Sequence, residues 1–123
     1  MKRATFILAL TLAALVGCSN DQRLFGPSLM PRAEAGKSIA NLNRRDEALR
    51  SVALDAIHDG DAVVANEAID NMRPTRYRDE VAARCARSLA KDWRAGEATG
   101  IAKKIGDVTL RDQVLMEIAL GRP

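Results

Sequence analysis

The chain has 123 residues, enough for one small domain, and carries 19 basic and 16 acidic residues for a net charge of +3. Bases and acids are interspersed, not gathered on one stretch, which argues against a nucleic-acid surface. Aromatic residues make up only 3% of the chain while alanine, leucine, isoleucine and valine are plentiful, a composition suited to close helix-on-helix packing and poor for a β-sandwich.

The first element is Met1-Lys2-Arg3, two positive charges, followed by an apolar run from Ala4 to Val16 interrupted only by Thr5 and Thr11. This run has the length of a signal-peptide core and is shorter than the roughly 20 apolar residues of a spanning helix. It ends in Leu15-Val16-Gly17-Cys18 and then turns polar with Ser19-Asn20-Asp21-Gln22. That ending resembles the lipobox of bacterial lipoproteins. A small residue before the cut lets the backbone enter a narrow peptidase site, and the cysteine supplies a thiol that can be acylated.

The resemblance covers only these first residues. It implies removal of residues 1–17, a diacylglycerol thioether on Cys18 and usually a third acyl chain on the new N-terminus, which together make a stable anchor. Within the family, Ser19 after the cysteine favours the outer membrane, facing the periplasm, over retention in the inner membrane. Removal of the signal takes Lys2 and Arg3 and no acid, so the charge of the remaining chain falls to about +1. With Cys18 committed to lipid, Cys85 stands alone and no disulfide framework can form within one chain.

Residues 18–32 are expected to be the lipidated cysteine and a tether. Gly26, Pro27 and Pro31 break any sustained period, and Leu24, Phe25, Leu29 and Met30 give it apolar points of docking. From residue 33 to 123 the sequence repeats itself. Arg45-Asp46, Arg78-Asp79 and Arg111-Asp112 recur at a step of 33 residues, inside RDEALRSVA, RDEVAARCA and RDQVLMEIA. Val52, Cys85 and Ile118 share a position, as do Ala53, Ala86 and Ala119, and Ile39, Met72 and Ile105. Internal periodicity of this length marks a repeat architecture.

Each repeat carries two helical stretches. Ala48, Leu49, Val52, Ala53, Ala56 and Ile57 form one stripe and predict a helix over 46–58. Asp59-Gly60-Asp61 then stops and restarts the chain. Further helices are expected over 62–72, 76–91, 94–105 and 109–120, with a partial leading helix over 33–42. Thr109 and Asp112 have capping-box spacing at the start of the last one. The expected fold class is all-α: a short α-solenoid or bundle of antiparallel helix pairs. This architecture is similar to the tetratricopeptide-like repeats, although the period is 33, not 34, and their tryptophan, glycine and proline signature is missing. The ankyrin turn motif is missing as well.

Chemistry-bearing residues are few. His58, the only histidine, falls in a last helical turn favoured by the helix dipole. Asp55, Asp59 and Asp61 lie near it without a second histidine or thiolate for a zinc set. Cys85 replaces Val52 and Ile118 and reads as a small core hydrophobe, with a dimer disulfide or reactive thiol as alternatives. The Arg-Asp pairs read as structural: the aspartate in a first turn, and the arginine reaching back to the preceding helix end or to an acid of the neighbouring repeat. An arginine ladder for an acidic partner is the alternative. Trp93, at the join of two helices, is either a packing plug or an exposed anchor. No phosphate loop, nucleophile elbow, zincin or Cys-x-x-Cys motif occurs, and the acids are spread along solvent faces without the facing pair a glycosidase needs.

The expected function is therefore not enzymatic. It is that of a membrane-anchored periplasmic lipoprotein whose helical-repeat surface binds a protein partner as an adaptor or scaffold, with no cofactor, metal, nucleic acid or small-molecule substrate. Cys18 is the lipidation site. Partner-binding positions are Glu47, Arg50, Ser51, Glu80, Arg84, Arg87, Gln113 and Glu117, off the core stripe of successive first helices, together with Trp93. The alternatives are a structural envelope lipoprotein that associates with copies of itself, with Met116 and Leu120 exposed on the last helix, or an escort for a secretion or pilus machine.

Overall fold

The computed structural model describes residues 28–123. The apolar leader, the lipobox-like ending, Cys18 and the tether up to residue 27 lie outside the described residues. Six helices follow in chain order: α1 (Met30–Lys37), α2 (Leu42–His58), α3 (Ala62–Asp70), α4 (Arg76–Lys91), α5 (Ala95–Ala102) and α6 (Val108–Ala119). There is no strand among the described residues, so the fold is all-α as the periodicity predicts. None of these helices is long and apolar enough to cross a membrane.

The helix ends follow local chemistry. Asn41 caps α2, its side chain accepting from the Asn43 and Arg44 N–H groups at 3.1 Å each. This cap starts α2 at Leu42, four residues before the expected start at residue 46. It also ends the leading helix early: α1 spans Met30–Lys37 instead of 33–42, with Pro31 in its first turn, where a missing N–H costs no helical bond. Leu29, at the tether's end, is buried. At the far end of α2, Gly60 takes φ +77°, and the Asp61 N–H reaches back to the Ala56 carbonyl at 2.7 Å, closing the helix in a left-handed turn. Asp61 then caps α3 by accepting from the Val64 N–H.

Helices α3 and α5 stop at Asp70 and Ala102, two and three residues short of expectation, because turns 71–75 and 103–107 bend toward α4 and α6. The capping-box reading of Thr109 and Asp112 is not what forms. Asp107 is the cap of α6, accepting from the Leu110 N–H at 2.9 Å, and Thr109 lies inside the helix.

Packing pairs α2 with α3 and α4 with α5, and stacks α2, α4 and α6 side by side. Leu49, Ile69, Leu89, Ile101, Ile105 and Val114 are fully buried among alanines at 53, 56, 65, 68, 82, 86, 98 and 102. Small residues bring the helix axes close. At Gly36 the approach is closest: a Cβ there would lie 3.0 Å from Leu49 Cδ2. Cys85, at the position shared with Val52 and Ile118, is fully buried as the repeat frame predicts.

The repeating Arg-Asp pairs are structural, as their recurrence suggests, and Asp79 lies in the first turn of α4 as expected, but their partners differ from those the sequence suggests. Asp46 sits in the second turn of α2 and not the first, and is 3% exposed. Its carboxylate accepts from the backbone N–H of Arg73 at 3.2 Å and from Arg73 Nε at 2.6 Å. One period later Asp79, 7% exposed, accepts from the N–H groups of Gly106 and Asp107, both at 2.9 Å. Each aspartate thus pins the turn that follows the second helix of its own pair. Of the arginines, Arg78 acts forward: it donates to the carbonyl of Lys104 at 3.2 Å, at the end of the following helix and not the preceding one.

Candidate partner-binding groove

Stacking α4 beside α2 leaves a valley between two first helices. One part is a cleft of about 400 Å³ lined by Arg50, Leu54, Tyr77, Glu80, Val81 and Arg84. A second, of about 260 Å³, is lined by Leu54, Ile57, His58, Arg84, Cys85 and Ser88. Leu54 and Arg84 border both, so the two form one groove along the α2–α4 seam. Its lining mixes apolar Leu54, Ile57 and Val81 with polar Arg50, Glu80, Arg84 and Ser88, a mixture suited to a side of a helix or an extended peptide.

The structure brings Arg50, Glu80 and Arg84 together in this groove and separates the other expected positions from it. Glu47 is exposed on α2 outside both clefts. Arg87 ties α4 to α6: its Nε and a terminal nitrogen bind the two Glu117 carboxylate oxygens at 2.6 and 3.1 Å. Gln113 donates to the same carboxylate at 3.0 Å. The guanidinium lowers the Glu117 carboxyl below its ordinary range, and the carboxylate raises Arg87 in turn. Arg87, Gln113 and Glu117 therefore form a clasp between helices.

Glu80 accepts from Arg76 Nε at 3.0 Å. Arg50 and Arg84 line the groove and form no ion pair among the described residues. Tyr77, Leu54 and Ser88 are lining residues that sequence reasoning missed. The signal for Tyr77 was available, since Tyr77, Val81 and Arg84 fall at i, i+4 and i+7 on one face of α4.

Trp93 lies elsewhere. It is 95% exposed, has φ +62° where the preceding repeat has Gly60, and borders a cleft with Ala90, Ala95, Ile118, Leu120 and Gly121 at the C-terminal end of the stack. It is thus an exposed side chain and not a packing plug. Cys85, on the groove floor, has its thiol donating toward the Ala53 carbonyl at 4.0 Å, and burial pushes it up to about 12. That is far from the thiolate a nucleophile needs. No group of three or more histidine, cysteine or acidic residues could hold a metal ion among the described residues.

Cys18 falls outside the described residues. No family model, no curated protein and no solved structure matches the chain.

Proposed function

We propose that the protein is a lipid-anchored adaptor of the bacterial envelope, which holds a helical or extended segment of another protein in the α2–α4 groove. The observation that carries this reading is the groove itself: Leu54, Tyr77 and Val81 line it beside Arg50 and Arg84, which form no ion pair among the described residues. An apolar strip next to two guanidinium groups suits an amphipathic segment bearing carboxylates, since arginine grips carboxylates through two donors. The anchor rests on the leader and on Leu15-Val16-Gly17-Cys18. With Ser19 next, the address is the periplasmic face of the outer membrane.

Photo-crosslinking in cells tests the groove. A photoreactive residue at Tyr77 or Arg50 of the full chain is expected to give a discrete heavier adduct. Arg50→Glu with Arg84→Glu is expected to reduce the Tyr77 adduct at least tenfold. Val63, exposed on α3 away from the groove, serves as the control site. An adduct equally strong from Val63, or one indifferent to both charge reversals, overturns the groove reading. Cys18→Ser should move the protein from the membrane to the soluble fraction.

A further inference from the structure

The start of α1 and two turns share one edge of the stack. Arg32, in the first turn of α1, pairs with Asp55, in the last turn of α2, at 2.8 Å. Arg94, after α4, donates to the carbonyl of Gly60, after α2, at 2.5 Å. Ser28, the Gly60 turn and the Trp93 turn therefore lie together. Tyr77, Val108 and the turns pinned by Asp46 and Asp79 lie at the other edge.

Among the described residues Trp93 is the one non-glycine with a positive φ. Helices α2 and α4 close alike: the Asp61 N–H bonds the Ala56 carbonyl at 2.7 Å, and the Arg94 N–H bonds the Leu89 carbonyl at 3.0 Å. This left-handed closure favours glycine, and α2 has Gly60 there where α4 has Trp93. The indole gains no packing in return, since it stands exposed. A strained residue that the fold does not need points to a contact outside the fold. The turn beneath it is held firmly, because Arg94 also bonds Glu97 at 2.9 Å. Beside it Lys91, Ala95 and Gly96 are exposed, and a Cβ on Gly96 would meet nothing within 4 Å. Nothing bulky shields the indole on that side.

We propose that Trp93 rests in the headgroup region of the lipid bilayer that holds the anchor, a second membrane contact that rests on the anchor reading above. Tryptophan suits that place, being an apolar ring with one N–H donor where apolar and wet zones meet. The Lys91 stem can lie along the same surface with its ammonium among lipid phosphates. Chain length favours lipid over a protein as the occupant. Ten residue steps separate Cys18 from Ser28, and they reach at most about 35 Å. The tether therefore keeps the domain near the surface, and it joins the domain at the edge that carries Trp93. One indole is too small to hold a free protein on a bilayer, but beside an anchor the second contact is intramolecular and a weak one suffices. In this pose the α2–α4 groove stands upright, its Ser88 end toward lipid and its Tyr77 end away, open to a partner.

Trp93 is the only tryptophan of the chain, so intrinsic fluorescence reports its surroundings directly. The full chain, purified from the membranes of its host, is reconstituted in vesicles of phosphatidylethanolamine and phosphatidylglycerol. Its emission is expected to lie at shorter wavelength than in urea, and to fall at least twofold when the vesicle lipids carry brominated acyl chains. Trp93→Phe with Val108→Trp moves the sole indole to a position 56% exposed at the far edge, where bromine should have no measurable effect. Emission from vesicle-bound Trp93 that bromine leaves unchanged overturns the proposal, whether water or another protein surrounds the indole. Equal quenching from the Val108→Trp chain overturns it as well. The mass of the same preparation reads the anchor separately. Acyl chains on Cys18 with an unquenched Trp93 overturn the second contact and leave the anchored adaptor standing. Cys18 without acyl chains overturns the anchor and this contact together.

Discussion

Asp79 and Gly106 are joined by a bond between a buried carboxylate oxygen and a backbone N–H, 2.9 Å long and 27 residues apart in sequence. The same separation links Asp46 to Arg73. The turn after each second helix has N–H groups that its own helix does not satisfy, and a carboxylate from the first helix meets them. This fixes the angle at which the next pair leaves, and it explains why the aspartate recurs at the repeat step.

Asp79→Ala removes one acceptor and strands two donors, Gly106 N–H and Asp107 N–H. Hydrogen bonds to charged groups contribute about 1.5–3 kcal/mol each, less when neighbouring bonds are lost together. The expected loss is about 2–4 kcal/mol in urea unfolding. Asp112→Ala, at an exposed site of the same sequence motif, should change stability by no more than about 0.5 kcal/mol in the isolated chain. Equal effects at the two sites would show that the motif acts through its position in the helix and not through the pinned turn.

Trp93 occupies a left-handed backbone position, φ +62°, that Gly60 fills one period earlier at φ +77°. A large L-residue there is strained, and its indole gains little from packing, being 95% exposed. Trp93→Gly is therefore expected to raise stability by about 0.5–1 kcal/mol in spite of the loss of a large apolar side chain, the relief of strain outweighing the added freedom of glycine in the unfolded chain. Gly60→Ala should lower stability by a similar amount. Thermal unfolding of both variants decides the matter. A destabilised Trp93→Gly chain would mean that the indole is packed in the protein in solution.

The repeat frame made the core legible in the sequence: Leu49, Val52, Cys85 and Val114 are buried where the stripe and the 33-residue step put them. It also made the α2–α4 groove legible through Arg50, Glu80 and Arg84. What it could not carry was long-range polar partnership. Asp46 reads locally as a helix-start residue, and only the fold brings Arg73 to it. Arg87 and Glu117 lie 30 residues apart, and each alone reads as a free surface charge. The start of α2 was missed for a local reason: the Asn41 cap precedes a charged turn, Asn43 to Arg45, in which no apolar period is visible.

The clasp between Arg87 and Glu117 gives a pH dependence whose sign is fixed. Arginine keeps its charge throughout, so the titrating partner is the carboxylate. Arg87 holds Glu117 below its ordinary value, with Gln113 and the charge of Arg87 acting in the same direction and desolvation opposing. A depressed folded-state value means that the stabilisation is complete above the unfolded value, about 4.3, and is lost as pH falls through the lower folded one. Both side chains are partly solvent-exposed, at 32% and 25%, so a double-mutant cycle with Arg87→Ala and Glu117→Ala should give about 0.5–1 kcal/mol at pH 7. The coupling should shrink toward zero below pH 3. A coupling that grows on acidification would contradict the ion pair as its source.

Cys85 provides a probe of the core. Its side chain is fully buried between α4 and its neighbours, its thiol lies 4.0 Å from the Ala53 carbonyl, and burial pushes it up to about 12 despite the opposing charge of Arg84. Nucleophilic attack requires a thiolate with access to solvent, and the folded chain offers neither at pH 8. Alkylation at that pH should therefore proceed only through opening of the α4 packing. Its rate should rise by orders of magnitude in urea above the unfolding midpoint and track the stability of the variants described above. Destabilising Asp79→Ala should speed labelling of Cys85, and Trp93→Gly should slow it. A Cys85 that reacts in the folded chain as fast as a free thiol would mean that the groove floor at Ile57 and Ser88 opens readily. Its alkylation would then be expected to block a partner seated in the groove.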